Sequence, residues 1–595
     1  MTRIRYPTLC LPLVLAACEN PAVLPTAPRP AFSSVAAAGC PAHATFIATD
    51  EASLRSAAGA AQPNDTIALS GMIELANFSI GVTTTNLTFT CASPGSGLRA
   101  KAGGGVDWLI IVLSAHVTVE RLTLDATNTT QGAFAVTNGG SPVDHVTFRN
   151  NTVTCVLTVE EGCLSLFGFG AGIVGAVVTD NEIRSNASLR AIDISDVDSL
   201  LLARNRVAGV TDKAIIMDRV ADVQVLGNSV TCGTFACVFL FDTNSRVLIS
   251  DNNFTPTGTG TGLFGLVLFG SGDDVRVVRN HFQCAGHQQE SCVHMESDPT
   301  ELVQKVVISE NTFDLDNQLA ILVIGADDAR VQQNTFGGIL KAGGTGDPVI
   351  FITVTHGRIT DNSGECGDAC VFGAGGSPGL VLARNQFQTN GSSAGLLLQE
   401  GTDRDSVVGN TIATTAPSFE ARFGGIRIRD GANAVVTDNI VKGPWANSLA
   451  LTDLTQADVE RNTFQGATQF GVGITTEQSS APISLSNSLF RSNRITGAGS
   501  AGIFAQLACN NSFVGNDLQG NAENVGLFLY PTTGANTYKG NANLVVDSGA
   551  FDCDGNGTND PNIIVGPGIA QHRAPLNSLE LAPESQHRIY GVVLK

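Results

Sequence analysis

The chain has 595 residues, 43% of them hydrophobic but only 6% aromatic and 15% charged, with 65 Gly. Its 34 Lys and Arg against 54 Asp and Glu leave a net charge of −20, which excludes a nucleic-acid partner gripped through clustered basic residues. The chain is too apolar for disorder and too poor in charge for a helical bundle or coiled coil. Short Val/Ile/Leu/Phe runs between Gly, Asn, Asp and Thr point to an all-β fold.

At the N-terminus, Arg3 and Arg5 precede a short apolar run, residues 9–17, broken by Pro12. That run is too short to cross a bilayer core of about 30 Å, and residues 1–17 read as a signal peptide. No later segment reaches the roughly 18 uninterrupted apolar residues of a membrane span. The run ends Leu15-Ala16-Ala17-Cys18, which resembles the lipobox of bacterial lipoproteins. That resemblance implies cleavage before Cys18, a lipid on its thiol, and contact with membrane only through that anchor. Residues 18–43, rich in Pro and Ala, read as the lipid-bearing cysteine and its tether.

Leu54, Ala57, Ala58 and Ala61 suit one face of a short helix, followed by Pro63-Asn-Asp-Thr-Ile67-Ala-Leu69. Further on, a segment reading apolar-x-x-Asn-x-apolar recurs, as in Val277-Val-Arg-Asn280-His-Phe282 and Val459-Glu-Arg-Asn462-Thr-Phe464. The anchoring Asn stands at 151, 181, 205, 228, 252, 280, 311, 334, 362, 385, 410, 439, 462, 493 and 516. Every one has an apolar residue three positions before, and all but Asn362 have one two positions after, Gly364 being the exception. The mean step is about 26 residues, a period that belongs to a solenoid. A second alternation precedes each Asn segment, as in Gly425-Ile-Arg-Ile428 before Val435-Val-Thr-Asp-Asn439, so the repeats are strands rather than helices. Two or three short strands per repeat suit one coil of a parallel β-helix, stacked at about 4.8 Å. The Asn is expected to take the left-handed turn conformation itself, and to bond into a ladder with its neighbours.

The fourteen cysteines fit an exported chain. Setting aside Cys10 and Cys18 leaves twelve. Cys155, Cys232, Cys284 and Cys366 each lie four residues after a repeat Asn, and Cys163, Cys237, Cys292 and Cys370 each open the next alternating strand. This register predicts the bonds Cys155–Cys163, Cys232–Cys237, Cys284–Cys292 and Cys366–Cys370. Two cysteines remain near each end, read as Cys40–Cys91 and Cys509–Cys553.

These repeats, the helix and the Pro63–Leu69 segment resemble the right-handed parallel β-helix, or pectin-lyase-like, superfamily, in particular exported bacterial members with short β-helix repeats. Val117-Thr-Val-Glu-Arg-Leu122-Thr-Leu resembles an early coil with Leu122 in the Asn slot. The resemblance implies a single solenoid of roughly 17–18 coils over residues 44–545 behind a short capping helix, with residues 546–595 as C-terminal cap and tail. It also implies that function lies on the outer face of the first strand of each coil.

Among the outward residues, Cys292-Val-His294-Met-Glu296-Ser-Asp298 alone carries a His and carboxylates at alternate positions. His294 and Glu296 are candidate base and acid; a solvated polar strand would read the same way. Asp218, Asp298, Arg427 and Arg429 are candidate substrate contacts. The Arg pair lies five coils from His294, about 24 Å, too far for one reaction centre. Asp552-Cys-Asp554-Gly-Asn556-Gly-Thr-Asn-Asp560 has calcium-loop spacing, although Ile563 stands where the closing Glu belongs. Two functions follow: an envelope protein that binds glycan or a partner along one flank, or a polysaccharide lyase or hydrolase centred on His294 and Glu296. With two Trp and four Tyr, aromatic sugar platforms are expected to be scarce.

Overall fold

The computed structural model describes residues 39–565, apart from 42, 138–142, 157–160, 170–171, 187, 259–263, 287–290, 298–301, 340–346, 368, 390–393, 402, 417–423, 476–483, 523–524, 530–531, 542–543 and 548–549. Cys18 and Asp298 therefore lie outside the described residues. The chain winds into an all-β, right-handed parallel β-helix of about 18 turns. Helix Glu51–Ala60 closes the N-terminal end, with Asp50 and Ser53 forming a reciprocal capping box and Leu54 and Ala57 buried against the first coils. Asn64 adopts φ 76°, a left-handed value that Asn tolerates.

A representative coil has a first strand, Ser291–Glu296, a second, Val303–Ser309, and a third, Thr312–Asp314. First and second strands form one continuous parallel stack that bends around the coil, and third strands form another. Among the described residues the pairings are parallel except for Ala550–Phe551 with Asp560–Pro561. Parallel pairing continues past residue 545, where Thr537–Lys539 pairs with Ile563–Val565.

The Asn residues form a buried ladder along one corner. Asn280 shows the pattern: its N–H donates to Asn311 Oδ1 at 2.8 Å, and its Nδ2 donates to the Ile249 carbonyl at 2.9 Å and to Asn311 Oδ1 at 3.1 Å. The ladder gains a final rung, Asn541, from a Tyr538-Lys-Gly-Asn541 segment that departs from the repeat too far to be counted. The expected conformation of the Asn is corrected. The left-handed residue is the one before it, as at Asp180, Arg204, Asp251 and Arg279. The Asn side chain instead satisfies backbone groups that the turn leaves unpaired. Inside the coil, the residue two after the Asn stacks on its neighbours: Phe254, Phe282, Phe313 and Phe336 have centroids 5.1, 5.0 and 5.3 Å apart. Gly364 interrupts this stack because its φ is 147° and a Cβ there would meet the Phe336 carbonyl oxygen at 2.1 Å.

The four local cysteine pairs that the register predicts are joined, as are the remaining pairs Cys40–Cys91 and Cys509–Cys553, with Cα–Cα separations between 4.8 and 6.1 Å. The four local bonds tie the end of a third strand to the start of the next first strand.

Candidate functional site

Because first strands pair in register, their outward side chains fall into two rows. The mid-strand row runs Asp193, Ile216, Phe239, Val267, His294, Leu322. The strand-end row runs Phe167, Ser195, Asp218, Phe241, Phe269, Glu296. Most of the mid-strand row is buried, Phe239 only partly, whereas the strand-end row keeps access to solvent up to Glu296 and closes at Ile324.

His294 is the first correction at the site. It was expected to stand exposed beside Glu296 and is instead 5% exposed. Its ring lies edge-on to Phe264 and Phe269, with centroids 5.1 and 5.3 Å away. Its Nε2 is 3.0 Å from Glu296 Oε2, and its Nδ1 faces Ser291 Oγ at 3.5 Å. The apolar neighbours that could exclude water from a reaction have instead closed over the imidazole. Glu296 remains the accessible member of the pair, with a side chain 41% exposed.

Asp218 belongs to the same row as Glu296, three coil steps away or about 14 Å. Burial pushes its carboxyl above the usual carboxylate range, against the pull of Arg219. Asp193, beside it in the buried row, is raised by the same cause. Arg219, overlooked in the sequence, holds this end together: it meets Asp196 at 2.8 Å, Asp218 at 2.6 Å and Asp242 at 3.6 Å. The guanidinium bonds keep the Asp196 carboxyl below its ordinary value.

The aromatic groups on this flank are phenylalanines rather than Trp or Tyr. Phe235, Phe239, Phe241, Phe264 and Phe269 gather outside the coil around His294, in edge and stacked contacts at 5.4–5.9 Å. Phe241 is 50% exposed and Phe169, stacked on Phe167, is 61% exposed. The signal was present as outward Phe positions on consecutive strands; counting Trp and Tyr passed over it.

Arg427 continues the mid-strand row five register steps beyond His294, with Arg429 two residues on, so neither side chain is near the His294–Glu296 pair. Arg427 is 5% exposed, and Arg429 pairs with Asp430 at 2.6 Å. At the C-terminal end, Asp552, Asp554 and Asp560 bring carboxylate oxygens within 4.8 Å of one another. Asp552 accepts the N–H groups of Gly557, Gly555 and Asn556 at 2.7, 2.8 and 3.1 Å, which hold its carboxyl below the usual range. Asp560 accepts the Cys553 N–H at 2.9 Å, and Asn556 donates its amide to Asp554 at 2.8 Å. The oxygen set is of the kind calcium takes, and the loop is already closed by its own donors and by the Cys509–Cys553 bond.

The family described as right handed beta helix region matches residues 108–282, 162–336, 291–464 and 375–548. Comparison with curated proteins finds no match. Among solved structures, the Dettilon tailspike protein is similar at 9% identity and TM-score 0.31, with 65% of this chain and 62% of that one covered. DFA-IIIase from Arthrobacter chlorophenolicus A6 is similar at 12% identity and TM-score 0.22, with 78% and 88% covered. The PL6 family alginate lyase AlyGC is similar at 11% identity and TM-score 0.20, with 88% and 100% covered. By the overlapping matches along most of its coils, the chain belongs to the right-handed β-helix family.

Proposed function

We propose that this protein is an exported, envelope-tethered β-helix that binds a glycan along the first-strand flank without cleaving it. The observation that carries this reading is the division of the outer face. The His–carboxylate pair that could do acid–base work is closed on itself, while an accessible row of aromatic and polar groups runs beside it. A general acid or base has to reach the proton it moves at about 2.6–3.2 Å, and His294 is buried with Nε2 committed to Glu296. Asp218 stands beyond the roughly 5–9.5 Å that separates the carboxyl pair of a glycosidase. His294 therefore acts as a positioning residue that aims Glu296. Phe241 and Phe169 supply apolar faces for sugar rings. Six disulfides support an oxidising compartment.

The test is a panel of acidic and neutral polysaccharides scored both for retention and for unsaturated or reducing-end products. Retention without products is expected; product release by the purified chain would overturn the non-catalytic reading. Glu296→Gln is expected to weaken binding severalfold with a stability change of about 0.5 kcal/mol or less, since its side chain reaches solvent. If turnover is found, the same change and His294→Ala should each lower it about 10²–10⁴-fold for this pair to be its centre.

Tethering rests on Leu15-Ala-Ala-Cys18 and the even cysteine count behind it. Cys18→Ser is expected to move the protein from the membrane fraction to the soluble fraction. An unchanged membrane fraction would remove the lipid from the proposal.

A further inference from the structure

Six groups of the strand-end row, Phe167, Ser195, Asp218, Phe241, Phe269 and Glu296, follow one another at the coil spacing, so the row is about 24 Å long. Its polar members are oxygen acceptors. Glu296 and Asp242 are close to half exposed. Asp218 Oδ1 is buried beneath the row and makes no hydrogen bond, and Oδ2 is held by Arg219, so Asp242 and Glu296 are the carboxylates that meet solvent.

The cations beside the row are already engaged. Arg219 is shared among Asp196, Asp218 and Asp242. Lys213 pairs with Asp212 at 2.8 Å and lies over the Phe235 ring at 4.4 Å. Arg190 pairs with Asp193 at 2.8 Å. Five carboxylates, those of Asp193, Asp196, Asp212, Asp218 and Asp242, thus share these three cations, and Glu296 pairs with His294.

We infer that the row takes a glycan whose repeat carries hydroxyl or amino donors and no acid group; this rests on the glycan-binding reading above. Sugar hydroxyls or ammonium groups donate to Asp242 and Glu296, and ring C–H faces lie on Phe241 and Phe269. A uronate or sulfate in the same place would face carboxylates, and among the described residues Arg190, Lys213 and Arg219 are already bound to carboxylates. Like charges brought together in this way repel and select against the acidic polymer. The net charge of −20 opposes a polyanion at longer range as well, within the roughly 8 Å screening length of physiological salt.

The experiment measures binding of the full chain at 0.15 M salt to a neutral β-glucan, to chitosan, and to alginate and polygalacturonate. The neutral or amino polymer is expected to bind at least tenfold more tightly than either polyuronate, and Phe241→Ala should weaken that binding about tenfold. Polyuronate binding equal to or tighter than the others overturns this inference and leaves glycan binding standing. Binding to no polymer overturns the glycan reading itself. Unchanged affinity in Phe241→Ala, with the circular dichroism spectrum intact, would move the site off this row.

Discussion

Asn280→Ala is expected to destabilise the solenoid by about 3–5 kcal/mol, measured as a lowered midpoint in guanidinium at an unchanged slope. The reason is the number of buried groups that one amide serves. Asn280 is 2% exposed, and its Oδ1 accepts both the N–H and the Nδ2 of Asn252 at 2.9 Å. Its Nδ2 donates to the Ile249 carbonyl at 2.9 Å, the Val278 carbonyl at 3.2 Å and Asn311 Oδ1 at 3.1 Å. Truncation strands the Asn252 N–H and the Ile249 carbonyl where water cannot replace the lost partner. Each orphaned group costs about 1–3 kcal/mol. Asn280→Asp keeps the shape but turns the donor edge toward carbonyl oxygens, so it should cost at least as much as the alanine. A change below about 1 kcal/mol in both variants would show that the ladder is ornamental to stability.

The ladder also marks how much of the molecule could be read from the chain. The Asn positions with their apolar flanks gave the coil count, the strand type and the lumen-facing residues, because a solenoid repeats one local solution. The cysteines could be paired because register with that repeat fixed their neighbours in space. The left-handed residue was misplaced by one position: Asp180, Arg204 and Arg279 take that conformation, and nothing in their chemistry distinguishes them from surface charges. Several of these residues then link adjacent coils, as Arg204 does with Asp180 at 2.7 Å and Arg279 with Asp251 at 2.9 Å.

The site was less legible. Alternation correctly placed His294 and Glu296 on the outer side, but outward on a coil does not mean wet. Neighbouring apolar side chains pack over Val267, His294 and Leu322 of the mid-strand row while the strand-end row stays accessible, a difference that depends on packing between residues 20 to 30 positions apart. The grouping of Asp218 with Phe241, Phe269 and Glu296 likewise follows from loop lengths, which set the register. Arg219 escaped notice because it sits in the turn after the strand, outside the alternating pattern.

Replacing Asp405 with asparagine is expected to stabilise the protein at pH 8 by about 3–4 kcal/mol and to have little effect near pH 4. A second corner recurs along the described coils at which a left-handed residue precedes an inward position, as at Arg404, Asn487 and Asn510. Toward the C-terminal end this slot carries its own ladder: Asn511 Oδ1 accepts the Ser488 N–H at 2.9 Å, and its Nδ2 donates to the Leu485 carbonyl at 3.1 Å. Asp405 occupies the same slot after the left-handed Arg404, and its Oδ1 accepts the Leu380 N–H at 2.9 Å. Where asparagine would present a donor, Asp405 presents Oδ2, which has no partner, and the residue is 0% exposed. Burial, reinforced by Asp403, pushes its carboxyl up to about 7 against the backbone donors. A raised carboxylate value in the fold means that the neutral form is the one the fold holds. Its contribution is therefore complete below the unfolded value near 3.9, drains as pH rises from about 4 to 7, and stays lost above that. Other carboxylates, such as Asp196 and Asp438, are shifted the opposite way by arginine partners. The informative quantity is thus the difference between variant and wild type, followed by denaturation from pH 4 to 8. A gap that widens with pH supports the buried acid, because asparagine supplies without titration the donor that a protonated Asp405 supplies only below neutrality. A gap of constant size across that range, or a variant that is less stable at pH 8, would refute it.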